Sequence, residues 1–122
     1  MILADTSVWV QYFRRGLPEF SDALYNCRIA IHSVVLGELS TGNLPRRSQT
    51  LTALHALPQT KAGTSDECLA FIETHRLFGR GIGWNDVQLL AAARLTGIPL
   101  WSLDTRLVEA AQELGVAYSA KP

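Results

Sequence analysis

Four short apolar runs, separated by stretches with helical spacing, constrain this chain more than any other feature. Ile2-Leu3-Ala4 opens the sequence and stops at Asp5. Arg28-Ile29-Ala30-Ile31 is the second run, and Ile98-Pro99-Leu100-Trp101-Ser102-Leu103 is a third that stops at Asp104. Val116-Ala117-Tyr118 is the last. Runs this short cannot make a packed helix, and they read as strands buried on both faces. Between them, Thr6 or Ser7 is expected to cap a helix through Val8, Trp9, Val10 and Phe13. A second helix is expected from about Pro18 to Asn26. Ser33 is expected to cap a third, through Val34, Val35, Leu36 and Leu39, ending near Gly42. Further helices are expected from Pro45 to Leu57, from Thr64-Ser65-Asp66-Glu67 to about Phe78, and from Asp104 to Leu114. The most strongly helical stretch is Trp84 to Leu95, with Trp84, Val87, Leu90, Ala91 and Leu95 inward and Gly97 as its left-handed stop. Strands alternating with helices predict an α/β fold, a three-layer sandwich around a central, mostly parallel sheet.

Composition narrows the class. Hydrophobic residues make up 48% and charged residues 18%, which excludes a disordered chain. A length of 122 residues suits a single domain over 1–122, with no repeat or linker. Such a chain buries about two-thirds of its unfolded surface, enough for a core without metal or disulfide staples. Eleven basic residues balance eleven acidic ones, which argues against holding nucleic acid by bulk charge but not against local contact. No apolar run nears the roughly 18 residues of a membrane span. Asp5 interrupts the first apolar stretch and no basic leader precedes it, so no secretory signal is expected. Cys27 and Cys68 lie far apart in no metal-ligand spacing and read as ordinary thiols, consistent with a cytoplasmic protein.

Four carboxylates stand out. In open α/β sheets ligands bind beyond the carboxyl ends of the strands. Asp5 and Asp104 close two strands there, and they share a crevice if those strands are neighbours. Each could equally be a helix cap. Glu38 falls three residues after Val35 and four after Val34, so it is expected within an apolar stripe. Buried glutamates are paired or metal-bound. Asp86 sits in the first turn of a helix led by Gly79, Gly81 and Gly83, where the helix dipole favours it whatever its role. An oxygen-only set without cysteine or histidine selects Mg²⁺ or Mn²⁺ over zinc, and such sites serve phosphodiester hydrolysis.

Four segments carry a resemblance. They are Ile2-Leu3-Ala4-Asp5-Thr6-Ser7-Val8-Trp9, Val34-Val35-Leu36-Gly37-Glu38-Leu39, Gly79 to Asp86 with Leu89-Leu90-Ala91, and Leu100-Trp101-Ser102-Leu103-Asp104-Thr105-Arg106-Leu107. In this order they resemble the PIN-domain nucleases of the VapC type, toxins of bacterial toxin–antitoxin pairs. The resemblance spans nearly the whole chain. It implies a catalytic site of Asp5, Glu38, Asp86 and Asp104, with Asp5, Asp86 and Asp104 as metal ligands. Thr6 matches a hydroxyl beside the first aspartate, and Ser102 stands where many relatives have threonine. The implied activity is Mg²⁺- or Mn²⁺-dependent endoribonuclease cleavage of RNA. The implied partners are a VapB-like antitoxin and a second copy of the chain in a homodimer.

Other residues weigh less. Arg80, close before Asp86, is the arginine expected to meet RNA phosphate or an antitoxin carboxylate. Trp9, Trp84 and Trp101 read as core or dimer contacts, and His32, His55 and His75 as structural. Gly37 suggests close helix packing. A phosphate-accepting receiver domain needs an acidic pair after its first strand and a late lysine, but the only lysines are Lys61 and Lys121. A dehalogenase-like phosphatase needs an aspartate where Ser7 stands. The alternative that survives is a catalytically inactive PIN-like binding or scaffold module.

Overall fold

The computed structural model describes residues 1–119. In chain order the elements are β1 (Ile2–Ala4), α1 (Thr6–Arg15), α2 (Pro18–Tyr25), β2 (Ile29–Ala30), α3 (Ser33–Ser40), α4 (Arg47–His55), α5 (Ser65–His75), α6 (Trp84–Thr96), β3 (Leu100–Trp101) and α7 (Thr105–Glu113). The sheet order is β2-β1-β3 and both pairings are parallel. Val116–Tyr118, expected as a strand, makes a single parallel bridge from Ala117 to Leu100. Ile31 likewise bridges Gln59 just beyond β2.

Ile2, Leu3 and Ala4 are 2%, 0% and 0% exposed. Successive strand residues face opposite ways, so burial of all three means that both faces of the sheet are covered. The helices form two packing groups: α1 with α2 and α3, and α3 with α4, in one; α5 with α6 in the other. The expected three-layer α/β architecture is what the chain adopts.

Two helix starts differ from expectation by one residue. Asp5, not Thr6 or Ser7, caps α1: its Oδ1 accepts the Val8 N–H at 3.2 Å. His32, not Ser33, caps α3, with Nδ1 accepting the Val34 N–H at 3.0 Å. In both places the residue immediately before the helix has a side-chain acceptor of its own, so the turn needs no extra residue. At α5 the expected helix start is found, and Thr64 and Glu67 cap it reciprocally. Gly97 ends α6 at φ 71°, as expected for a left-handed stop.

The core centres on Phe20, which is 0% exposed. Its ring meets Trp9 at 4.7 Å, Tyr12 at 5.1 Å and Trp101 at 5.7 Å between centroids, all edge-on. One side chain of α2 therefore joins α1 to β3. Trp9 and Trp101 are core residues as expected, but Trp84 is 42% exposed and Leu95 is 61% exposed. The buried residues of α6 are Val87, Leu89, Leu90, Ala92 and Ala93. That band is rotated away from the Trp84–Leu95 line. A Cβ at Gly37 would meet nothing within 4 Å, so no packing within the chain requires a glycine there.

His32 is 1% exposed, and its Nε2 is buried without a partner among the described residues. Burial pushes its pKa below the ordinary value. The folded chain therefore resists a proton that the unfolded chain accepts below about pH 6.5. Its stabilising contribution is present above that pH and lost as pH falls, by at most about 1.4 kcal/mol per unit for one proton. Asp5 and Asp86 have raised pKa values and act with the opposite sign. The difference between wild type and His32→Asn isolates the histidine. Urea midpoints from pH 7.5 to 5.5 are expected to fall more steeply in wild type. Parallel slopes would count against a neutral buried His32.

Candidate active site

The strand ends hold the site. β1 and β3 are neighbours, with Ala4 opposite Trp101, so Asp5 and Asp104 leave the same edge of the sheet. Asp5 is 5% exposed. Its Oδ1 accepts from the Ser7 hydroxyl at 2.5 Å, and its Oδ2 accepts from the Ser102 hydroxyl at 2.6 Å. Ser102 Oγ also accepts the Asp104 N–H at 3.0 Å, and Ser7 Oγ accepts the Leu103 N–H at 3.0 Å. Two hydroxyls thus stitch the end of β1 to the end of β3 and fix the rotamer of Asp5. Sequence reasoning singled out Ser102 as supporting but missed Ser7, whose signal was its place two residues after Asp5.

Asp86 comes from the N-terminus of α6. It precedes the buried Leu89 and Leu90 by three and four residues, so it continues their inward face. Its Oδ2 accepts the Gly83 N–H at 3.0 Å. Asp104 caps α7, its Oδ1 accepting the Arg106 N–H at 2.9 Å. The capping role and membership of the cluster are therefore compatible. Glu38 is exposed, contrary to the expectation of burial in the apolar stripe. Val35 and Leu39 form the buried line of α3, and Glu38 lies about 100° around the helix from Leu39. Its Oε1 accepts from the Thr6 hydroxyl at 2.7 Å, which ties α3 to the start of α1.

Asp86 links the four carboxylates electrostatically. Burial raises the Asp5 pKa against the lowering effect of the Ser102, Ser7 and Val8 hydrogen bonds, and the charge of Asp86 raises it further. Burial also raises the Asp86 pKa, opposed by the Gly83 N–H and reinforced by the charges of Asp104 and Glu38. Among the described residues, none of the four carboxylates makes an ion pair. Among the described residues, no three His, Cys, Asp or Glu side chains form a group closed enough to hold a metal ion. The donor set is nonetheless carboxylate and hydroxyl oxygen throughout, which suits a hard divalent cation. Glu38, Asp86 and Asp104 each keep one carboxylate oxygen without a hydrogen bond among the described residues.

Arg80 is turned elsewhere. Its guanidinium pairs with Glu113 of α7, so much of its charge is met inside the chain rather than offered to a partner. Arg106 lies over Gly81, in the glycine-rich segment that leads to Asp86. A Cβ on Gly81 would come within 2.5 Å of its Nη1, so the guanidinium lies directly over the glycine. Gly81 has φ +76°, a second reason for glycine there. The signal for Arg106 was its position two residues after Asp104.

The PIN domain family model matches residues 2–113. Ribonuclease VapC32 of Mycobacterium tuberculosis is 38% identical over 118 residues, covering 96% of this chain and 95% of the relative. Among solved structures, PAE2754 from Pyrobaculum aerophilum superposes with a TM-score of 0.66 at 15% identity, covering 93% of this chain and 94% of the other. A chain of a toxin–antitoxin complex from Klebsiella pneumoniae superposes with a TM-score of 0.65 at 20% identity, covering 86% and 88%. Sequence and fold agree, and this chain belongs to the PIN-domain family.

Proposed function

We propose that this protein is a divalent-cation-dependent endoribonuclease acting as the toxin of a toxin–antitoxin pair. The observation that carries the reading is the cluster at the ends of β1 and β3. There the charge of Asp86 raises the pKa of Asp5, and the charges of Asp104 and Glu38 raise that of Asp86. Its 38% identity to a ribonuclease over nearly all of both chains supports the chemistry. Retention of all four acids weighs against an inactive scaffold.

Asp5, Asp86 and Asp104 would hold Mg²⁺ or Mn²⁺, which when bound activates water and neutralises charge on the phosphate. Ser7 and Ser102 hold the Asp5 carboxylate in place. Thr6 orients Glu38 through Oε1 and leaves Oε2 to bind the cation or to position the attacking water. Arg106 offsets the repulsion that an acidic site exerts on RNA. The expected products carry 5′-phosphate and 3′-hydroxyl ends. A VapB-like antitoxin is the expected inhibitor. A homodimer is expected too, and Leu69 on α5 and Leu95 on α6, both more than half exposed, supply apolar surface for it. No helix among the described residues is long and apolar enough to cross a membrane, and the expected location is the cytoplasm.

The test is expression without antitoxin, followed by sequencing of RNA ends. New 5′-phosphate ends at discrete unpaired positions are expected. No new ends, or 2′,3′-cyclic phosphates at the cuts, would contradict the proposal.

Cation binding has its own readout. Mg²⁺ at a hundred times its Kd is expected to stabilise wild type by about 2.7 kcal/mol. Asp104→Asn keeps the cap acceptor but removes a charge, so it should shrink the Mg²⁺-induced rise in melting temperature. Asp66→Asn, exposed on α5, should leave the rise intact. Equal shifts in all three proteins would remove Asp104 from the cation site.

A further inference from the structure

A concavity of about 160 Å³ opens beside the acidic cluster and is lined by Thr6 and Glu38. Its other walls include Phe13 and Leu44, which are apolar, and Asn43 and Arg14, which are exposed. The volume is below the roughly 300–1,000 Å³ typical of sites that enclose a drug-sized ligand, so it suits a single ring system. The walls are set in advance. Arg47 donates through Nη1 to the Gly42 carbonyl at 3.1 Å and through Nη2 to the Ser40 carbonyl at 2.6 Å. Those two bonds pin the turn that presents Asn43 and Leu44. The Phe13 ring is stacked on Trp9, with centroids 5.8 Å apart and planes at 29°.

We propose that this pocket receives one unpaired nucleobase of the RNA, adjacent to the phosphate being cut, and that Asn43 reads its edge. The proposal rests on the ribonuclease reading above. Unpaired bases are recognised by aromatic and apolar surfaces against their faces and by hydrogen bonds along their edges. The Asn43 amide offers both a donor and an acceptor, which a base edge requires. Arg14 supplies positive charge for the neighbouring backbone on a surface otherwise dominated by carboxylates. Because Thr6 and Glu38 line this pocket and Glu38 belongs to the acidic cluster, the base that fits here sets which phosphate meets the acids. Asn43 is thereby a specificity residue, and the turn pinned by Arg47 is what keeps it in place.

The experiment uses the purified full chain with Mg²⁺ and a pool of short single-stranded RNAs of randomised sequence, with new ends sequenced. Wild type is expected to prefer one base at a position adjacent to the cut. Asn43→Ala should weaken that preference about tenfold while cleavage continues. Asn43→Asp keeps the shape but offers only acceptors, so it should move the preference toward bases that present an amino group. Gln49→Ala, exposed on α4 outside the pocket, should change nothing. Unaltered preference in both Asn43 variants, with wild-type cleavage intact, overturns the base pocket and leaves the ribonuclease reading standing. Absence of cleavage by wild type overturns both.

Discussion

Asp86→Asn is expected to leave the protein folded and to reduce RNA cleavage at least about a hundredfold, the loss of several kcal/mol of charge stabilisation. Asparagine keeps the Oδ acceptor for the Gly83 N–H, so the start of α6 stays capped. What it loses is the charge. The Asp86 pKa is raised in the fold, so its favourable contribution belongs to the protonated form and is lost as pH rises through that value. At neutral pH without metal, the ionised carboxylate is a liability that asparagine removes. The melting temperature in chelator is therefore expected to hold or rise while activity collapses. Near-wild-type cleavage by the folded variant would take Asp86 out of the site.

The largest effect on stability is expected at Phe20. Truncation to alanine leaves a cavity where α1, α2 and β3 meet, and large aromatic-to-alanine changes cost about 3–5 kcal/mol. Against a total stability of about 5–15 kcal/mol, that leaves a marginal fold. A drop in melting temperature on the order of 10–20 °C is expected. The damage should also reach the site. Phe20 packs on Trp101, and Ser102 next along the chain holds Asp5. Phe20→Leu fills most of the space and should lose less of both stability and cleavage. A Phe20→Ala unfolding free energy from urea titration within about 1 kcal/mol of wild type would show that the ring is not the hub it occupies geometrically.

Much of this was legible in the residues, for identifiable reasons. Ile2-Leu3-Ala4 admits one reading because three apolar residues beside Asp5 cannot make a helix. Thr64 and Glu67 announce a helix start through complementary side chains, and Gly97 announces a stop. The strand-end positions of Asp5 and Asp104 were equally local facts. Their proximity was not, since it depends on β1 and β3 pairing across nearly the whole chain. The inward faces of α3 and α6 were misjudged for one reason. In α6, Val87, Leu89, Leu90, Ala92 and Ala93 are buried on several sides of the helix, so periodicity cannot select a face. In α3, Val34, Val35 and Leu36 are consecutive and blur the stripe that would have put Glu38 at its edge. The Arg80–Glu113 pair joins residues 33 apart, beyond the reach of any local pattern. The concavity walled by Asn43 is likewise a product of tertiary packing, which no spacing encodes.

The most direct measurement is RNA cleavage by the purified protein under Mg²⁺ titration, beside a chelator-treated sample and beside Asp86→Asn. If Asp5, Glu38, Asp86 and Asp104 act as one cation site, cleavage rises with Mg²⁺ and saturates. It should stop in chelator, return when Mn²⁺ is added, and stay absent in the variant throughout. Cleavage that persists in chelator, or in folded Asp86→Asn at the wild-type rate, would contradict that claim.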